Sequence, residues 1–185
     1  MNVDGSTRRQ HTHCNAVCTF PSPSPDGRWL AYRRVIAEPG RNWAQAPTQS
    51  NSEVFVQRMD GGGARNLSQH PAFDGWPVWS PDSRWVVFAS GRDGAPLTGQ
   101  VYAIRPDGTA LRRVSNGPLS NVQPFVTPDG TGVLTYWLHE TADAEDGSIG
   151  RWPFTPYPEA APISAPQWCS RRRIRPGRRA FRRCG

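Results

Sequence analysis

The chain has 185 residues, 36% of them hydrophobic and 20% charged, with a formal net charge of +7. That length allows a sizeable core, while 18 Gly and 19 Pro mark a chain that turns often and exclude an architecture of long helices. No stretch approaches the roughly 20 apolar residues of a membrane-spanning helix, and the N-terminus as it stands shows no apolar segment of a signal peptide.

The positive charge is local. Residues 171–185 hold 8 of the 22 basic residues and none of the 15 acids, which leaves residues 1–170 with 14 against 15, a net −1. The body is nearly neutral, and no nucleic-acid partner is expected. The four cysteines, at positions 14, 18, 169 and 184, are too few and too unevenly spaced to read as a disulfide framework.

Read in chain order, the sequence repeats. The first copy pairs Asp4-Gly5 with Ser24-Pro25-Asp26-Gly27, followed by the run Trp29 to Tyr32. The second pairs Asp60-Gly61 with Ser80-Pro81-Asp82-Ser83, followed by Trp85 to Ala89. The third pairs Asp107-Gly108 with Thr127-Pro128-Asp129-Gly130. Within each copy the two Asp residues are 22 positions apart, a hydroxyl residue falls 8 after the first Asp (Thr12, Ser68, Ser115), and a Pro falls 17 after it (Pro21, Pro77, Pro124). Four landmarks keep register, and the variable length lies between Asp26 and Asp60 or Asp82 and Asp107.

Each Asp-Gly is a tight turn, because Gly tolerates positive φ and the Asp carboxylate caps nearby backbone N–H groups. Between turns lie short apolar or alternating runs, including Val54 to Val56, Val101 to Ile104 and Leu111 to Val114, which read as strands. The order strand, turn, strand, loop, strand, turn, strand is a four-stranded antiparallel meander. Recurrence at 56 and then 47 residues predicts an all-β, partial β-propeller of about three blade equivalents. Trp29, Trp79, Trp85, Phe88, Phe125 and Tyr136 are expected to pack blade against blade. The repeats occupy residues 1–138, a Pro-rich irregular segment 139–170, and a disordered Arg-rich tail 171–185. Met1 falls inside a blade and about three blades do not close a ring, so we expect a fragment, with upstream sequence that could include a signal peptide.

At Pro77 to Phe88 and Pro21 to Tyr32 the sequence resembles the TolB-like, WD40-like repeats known as PD40; the third copy departs from that pattern, with Thr127 for Ser and Thr131-Gly132 where Arg-Trp stands elsewhere. The resemblance implies a non-catalytic propeller that binds partner proteins in the bacterial envelope, periplasmic where the intact protein carries a signal peptide. Self-association that completes a ring is a further expectation. The same repeats form the propeller of prolyl-oligopeptidase-like serine peptidases, whose hydrolase domain is absent from this chain, and this is the alternative reading.

No catalytic residues, cofactor or metal are expected. His11, His13, Cys14 and Cys18 fit no strong zinc spacing, and Gly147-Ser148-Ile149-Gly150 is not a nucleophile elbow. The Arg-rich tail reads either as a phosphate contact or as sequence unrelated to the repeats, and the abrupt loss of acids favours the second. Topology places the connections 36–51, 69–76, 91–99 and 116–121 on one face, opposite the constant turns. Arg41, Trp43, Asp74, Arg92 and Asp93 are the candidates for partner contact there.

Overall fold

The computed structural model describes residues 4–13, 16–36, 52–93, 99–117, 120–138, 148–154 and 167–168, and these contain strands and turns but no helix. The first sheet runs β1 (Cys18–Pro23), β2 (Trp29–Val35), β3 (Ser52–Arg58) and β4 (Arg65–Asn66). The second runs β5 (Asp74–Trp79), β6 (Val86–Ser90), β7 (Gln100–Ile104) and β8 (Arg112–Arg113). The third runs β9 (Ser120–Val126), β10 (Gly132–Leu138), β11 (Ser148–Pro153) and β12 (Gln167–Trp168). In every sheet the strands lie side by side in chain order and pair antiparallel, so each is one blade of a propeller.

The β1–β2 turn and its two equivalents share one local chemistry. Ser24 Oγ donates to Asp26 Oδ1 at 2.6 Å and accepts from Trp29 N at 2.9 Å, while Asp26 Oδ1 also accepts from Arg28 N at 3.1 Å. Ser80 with Asp82, and Thr127 with Asp129, repeat the pattern. Only a hydroxyl is required at the first position, which is why Thr127 substitutes for Ser without loss. Gly27 and Gly130 take φ of 71°, and Ser83 takes the same left-handed conformation at 60°. Ser83 accepts a compensating bond across the seam, from Asp26 N at 3.0 Å.

Alternation along the strands gives each blade two apolar faces. Ala31, Val54, Val56 and Leu67 of the first blade pack against Trp79, Val86, Phe88, Tyr102 and Ile104 of the second. Trp85, Val87, Val101, Ala103 and Val114 of the second pack against Val126, Val133, Trp152 and Phe154 of the third. Trp29, Trp79, Trp85 and Phe88 therefore lie in the seams. Phe125 does not: it sits on the far side of the third blade, 55% exposed, and Ile149, on the same face, is 61% exposed. Tyr136, paired with Ile149 in the ladder, is half-buried on that same side.

Two segments depart from the expected pattern. β11 and β12 fall inside 139–170, which we expected to be irregular, so the third sheet runs past position 138. Its Gly150, Arg151 and Pro153 are poor strand formers, and full burial of Trp152 (1% exposed) together with pairing to β10 overrides them. Residues 4–13 form the Asp4 turn, where Ser6 N donates to Asp4 Oδ1, but no strand. The expected Arg-rich tail lies outside the described residues.

The hydroxyl landmark has a structural cause. Ser68 Oγ accepts from Val54 N at 2.9 Å and donates to Glu53; Ser115 Oγ accepts from Val101 N at 2.8 Å and donates to Gln100 Oε1 at 2.8 Å. Each serine extends a two-residue outer strand by satisfying a buried N–H near the start of the third strand. Ser115→Ala leaves that N–H unpaired in the interior, while Gln100 Oε1 keeps its bond from Asn121 Nδ2, so a loss of about 1–3 kcal/mol is expected by urea denaturation, against no measurable change for the exposed Ser6→Ala.

Candidate functional site

β2, β6 and β10 end, and β5 and β9 begin, at the end of the blades opposite the Asp turns. At that end lies a layer of buried polar side chains. Asp74, the first residue of β5, is fully buried, and its Oδ1 meets Arg92 Nη2 at 3.3 Å. Arg92 Nε donates to Ser90 Oγ at 2.7 Å, and its Nη2 donates to the Ser68 carbonyl at 3.3 Å. The Arg92 guanidinium lies 4.8 Å over the Tyr102 ring and 5.6 Å over Phe88. Tyr102 donates its hydroxyl proton to Asp93, whose carboxylate also pairs with Arg113 Nη1 at 3.3 Å. Burial, aided by that bond to Asp93, pushes the Tyr102 phenol up to about 12.

This layer ties blade to blade. Ser52 Oγ donates to the Asp74 carbonyl at 3.0 Å, and Gly99 N donates to Ser120 Oγ at 2.9 Å. Asn121, the repeat equivalent of Asp74, accepts from Thr135 Oγ1 at 2.9 Å and from Trp152 Nε1 at 3.0 Å.

Of the residues singled out in the sequence, Asp74, Arg92 and Asp93 therefore converge around Tyr102, with Asp74 fully buried and Asp93 partly exposed. Arg41 and Trp43 lie outside the described residues. Cys18 is disulfide-bonded, which removes its thiol from any ligand set, and its partner lies outside the described residues. Among the described residues no three His, Cys, Asp or Glu side chains converge as a metal site would require.

Sequence reasoning missed the inner edge of the blades, where β1 packs on β5 and β5 on β9. Each of these strands carries a bulge at its midpoint. Phe20, Trp76 and Gln123, at the same repeat position and each directly before the landmark Pro, take left-handed φ of 53°, 51° and 49°. Bulky residues adopt this conformation only when the surroundings over-determine it. The Phe20 and Trp76 rings lie 5.9 Å apart, and Trp76 lies 4.9 Å from Phe73. The Pro landmark was the visible signal.

With this geometry in place, comparison with known proteins gives one result. The TolB beta propeller domain family matches residues 39–145. The chain belongs to that family. A TolB homolog of Chlorobium luteolum is 28% identical over 69% of this chain and 26% of its own length. The peptidase YuxL of Bacillus subtilis is 27% identical over 69% of this chain and 18% of its own. The chain thus spans about a quarter or less of these curated relatives. Among solved structures, TolB of Acinetobacter baumannii superposes with a TM-score of 0.54 at 16% identity, covering 71% of this chain and 29% of that one. A puromycin hydrolase superposes at 0.52 and 19% identity, covering 73% and 20%. These likenesses establish a shared propeller fold.

The charges give the TolB-like blades a specific pH response. Burial, with Glu53 adding to it against Ser90 and Arg92, raises the Asp74 carboxyl from 3.8 to about 6. A folded pKa above the unfolded one means that the native state holds the extra proton. Stability from this group is therefore full below 3.8 and lost as pH rises through 6. The turn residues act oppositely. The bond from Thr127 holds Asp129 at about 2 and that from Arg58 holds Asp60 at about 2, so their contribution is lost as pH falls below 4. Thermal unfolding is expected to show greatest stability near pH 4, falling by about 3 kcal/mol as pH rises to 6 and staying level above that. Asp74→Asn, which mimics the protonated acid, should flatten that fall; an undiminished slope in the variant would assign it elsewhere.

Proposed function

We propose that this chain is a non-catalytic protein-binding module whose partner, an envelope protein, docks on the face carrying the connections 36–51 and 91–99. The observation that carries this reading is the family match to the TolB propeller domain across residues 39–145. Consistent with it, the polar residues beneath that face, Asp74, Ser90, Arg92, Ser68 and Glu53, bond to one another and to backbone, bracing loops rather than converging on an open reaction centre. Arg41 and Trp43 are the proposed direct contacts. Arg92 and Asp93 set the base of the second loop, and Asp74 acts through Arg92. An oxidising, periplasmic setting accords with the disulfide at Cys18.

A second reading, the propeller portion of a prolyl-oligopeptidase-like serine peptidase, draws on the match to YuxL, which has peptidase in its name. Two measurements separate the readings. A photo-crosslinking residue at position 43 should capture a partner protein in the native cell, whereas one at position 28, on the turn face, should not; the reverse pattern would overturn the assignment of faces. Labelling of the natural full-length protein by a fluorophosphonate would decide for the peptidase.

A further inference from the structure

Arg33 lies in the seam between the first two blades, two residues beyond Ala31 and on the same face of β2. Its side chain crosses to β5 and lies over bare backbone: a Cβ added at Gly75 would stand 3.3 Å from Arg33 Cδ and 2.7 Å from Phe73 Cζ. The guanidinium carbon sits 5.0 Å from the centre of the Phe73 ring. Arg33 is 7% exposed, yet its Nε and Nη2 are sealed from solvent and have no hydrogen-bond partner. Arg92, in the same layer, has a carboxylate, a hydroxyl and a carbonyl.

The two unmet donors are neighbours on one edge of the guanidinium, where their N–H bonds run parallel and match the two oxygens of a carboxylate. Burial alone depresses the Arg33 pKa, with no nearby carboxylate opposing it. A charge so placed carries its full desolvation cost until an anion meets it.

An aromatic path leads from this edge to solvent. Phe73 covers the guanidinium and contacts Trp76 at 4.9 Å; Trp76 contacts Phe20 at 5.9 Å, and Phe20 is 44% exposed. Both Trp76 and Phe20 sit at the bulge before the landmark Pro, in the left-handed backbone that Gln123 shares in the third blade, and this places the two rings on the inner edge of the seam. The Phe73 ring, held by packing between Trp76 and Arg33, is the group that an entering ligand moves aside.

We propose that this inner edge of the first seam is a binding site for a small aromatic carboxylate, its two oxygens taken by the Nε and Nη2 donors of Arg33 and its ring by Phe73, Trp76 and Phe20. One guanidinium neutralises one carboxylate, whereas phosphate would bring a second negative charge into a buried seam. Phe73 belongs to the connection into β5 on the loop face, where its carbonyl accepts from Gly91 N at 2.8 Å, but binding of a free acid is read without the protein partner and so stands or falls independently of that reading.

The test is an NMR titration of the full chain that follows the Arg33 Nε–H and Trp76 Nε1–H resonances. The probes are 3-phenylpropanoate, its uncharged counterpart 3-phenylpropanamide, and inorganic phosphate. A saturable shift with the acid alone is expected. Arg33→Gln should weaken it about tenfold or more, and Phe20→Ser, at the exposed end of the path, by a few-fold with an unchanged unfolding temperature. An equal response to the amide or to phosphate, or no saturable response, which would mean that water alone satisfies the Arg33 edge, overturns the proposal. So does an Arg33→Gln chain that binds as well as the original; should that variant not fold, the acid and amide pair on Phe20→Ser decides the matter, and equal binding of the acid by Phe20→Ser and the original chain overturns the proposal.

Discussion

A four-stranded sheet that is apolar on both faces cannot stand alone in water, and the structure follows from that constraint. Every residue of β6 and of β7 is buried. Val86 and Phe88 face the first blade while Val87 faces the third, so the central blade loses both faces to its neighbours. The seams, rather than any single sheet, are the core. Polar groups are consequently driven to the two ends of the strands, where the backbone N–H groups that leave the ladder need partners.

The two ends solve that problem differently. At the turn end, a hydroxyl and an Asp two residues on satisfy the backbone locally, with partners at most five residues away, while the bond from Asp26 N to Ser83 crosses the seam. At the loop end the bonds are long-range and buried: Ser68 reaches back to Glu53, and Arg92 to Asp74 eighteen residues earlier. Local turns can be copied from blade to blade without regard to the neighbours. A buried network must be adjusted to each seam, and so Asp74 with Arg92 in one position becomes Asn121 with Trp152 and Thr135 in the next.

This difference decides what could be read from the sequence. The Asp-Gly and Ser-Pro-Asp turns, and strands such as β2 and β7 between them, were legible because their determinants lie within a few residues and recur in phase. The hydroxyl at Ser68 and Ser115 was visible as a landmark, but its bond to the third strand was not, since the partner lies fourteen residues back on the other side of the Asp turn. Asp74 read as an exposed loop residue; its burial comes from the neighbouring blade and Arg92. β11 was invisible because Gly150, Arg151 and Pro153 are strand-poor and only the environment of Trp152 makes the segment a strand.

Arg33 is the residue that neither the turns nor the seams require. Its repeat equivalent in the second blade is Ala89, fully buried and apolar, so the position is compatible with a small side chain and no charge. Replacing a buried charge by an apolar group of suitable size is commonly neutral or stabilising, and Arg33 does not even have the carboxylate that makes Arg92 tolerable. Seam stability therefore argues against an arginine here, while the Phe73 ring over its guanidinium, and the Trp76 and Phe20 rings that continue from Phe73 toward solvent, give the charge an aromatic setting that Ala89 lacks. A propeller can carry such a cost because each seam is nearly independent of the others, so that a destabilising group in one seam leaves the packing of the next intact.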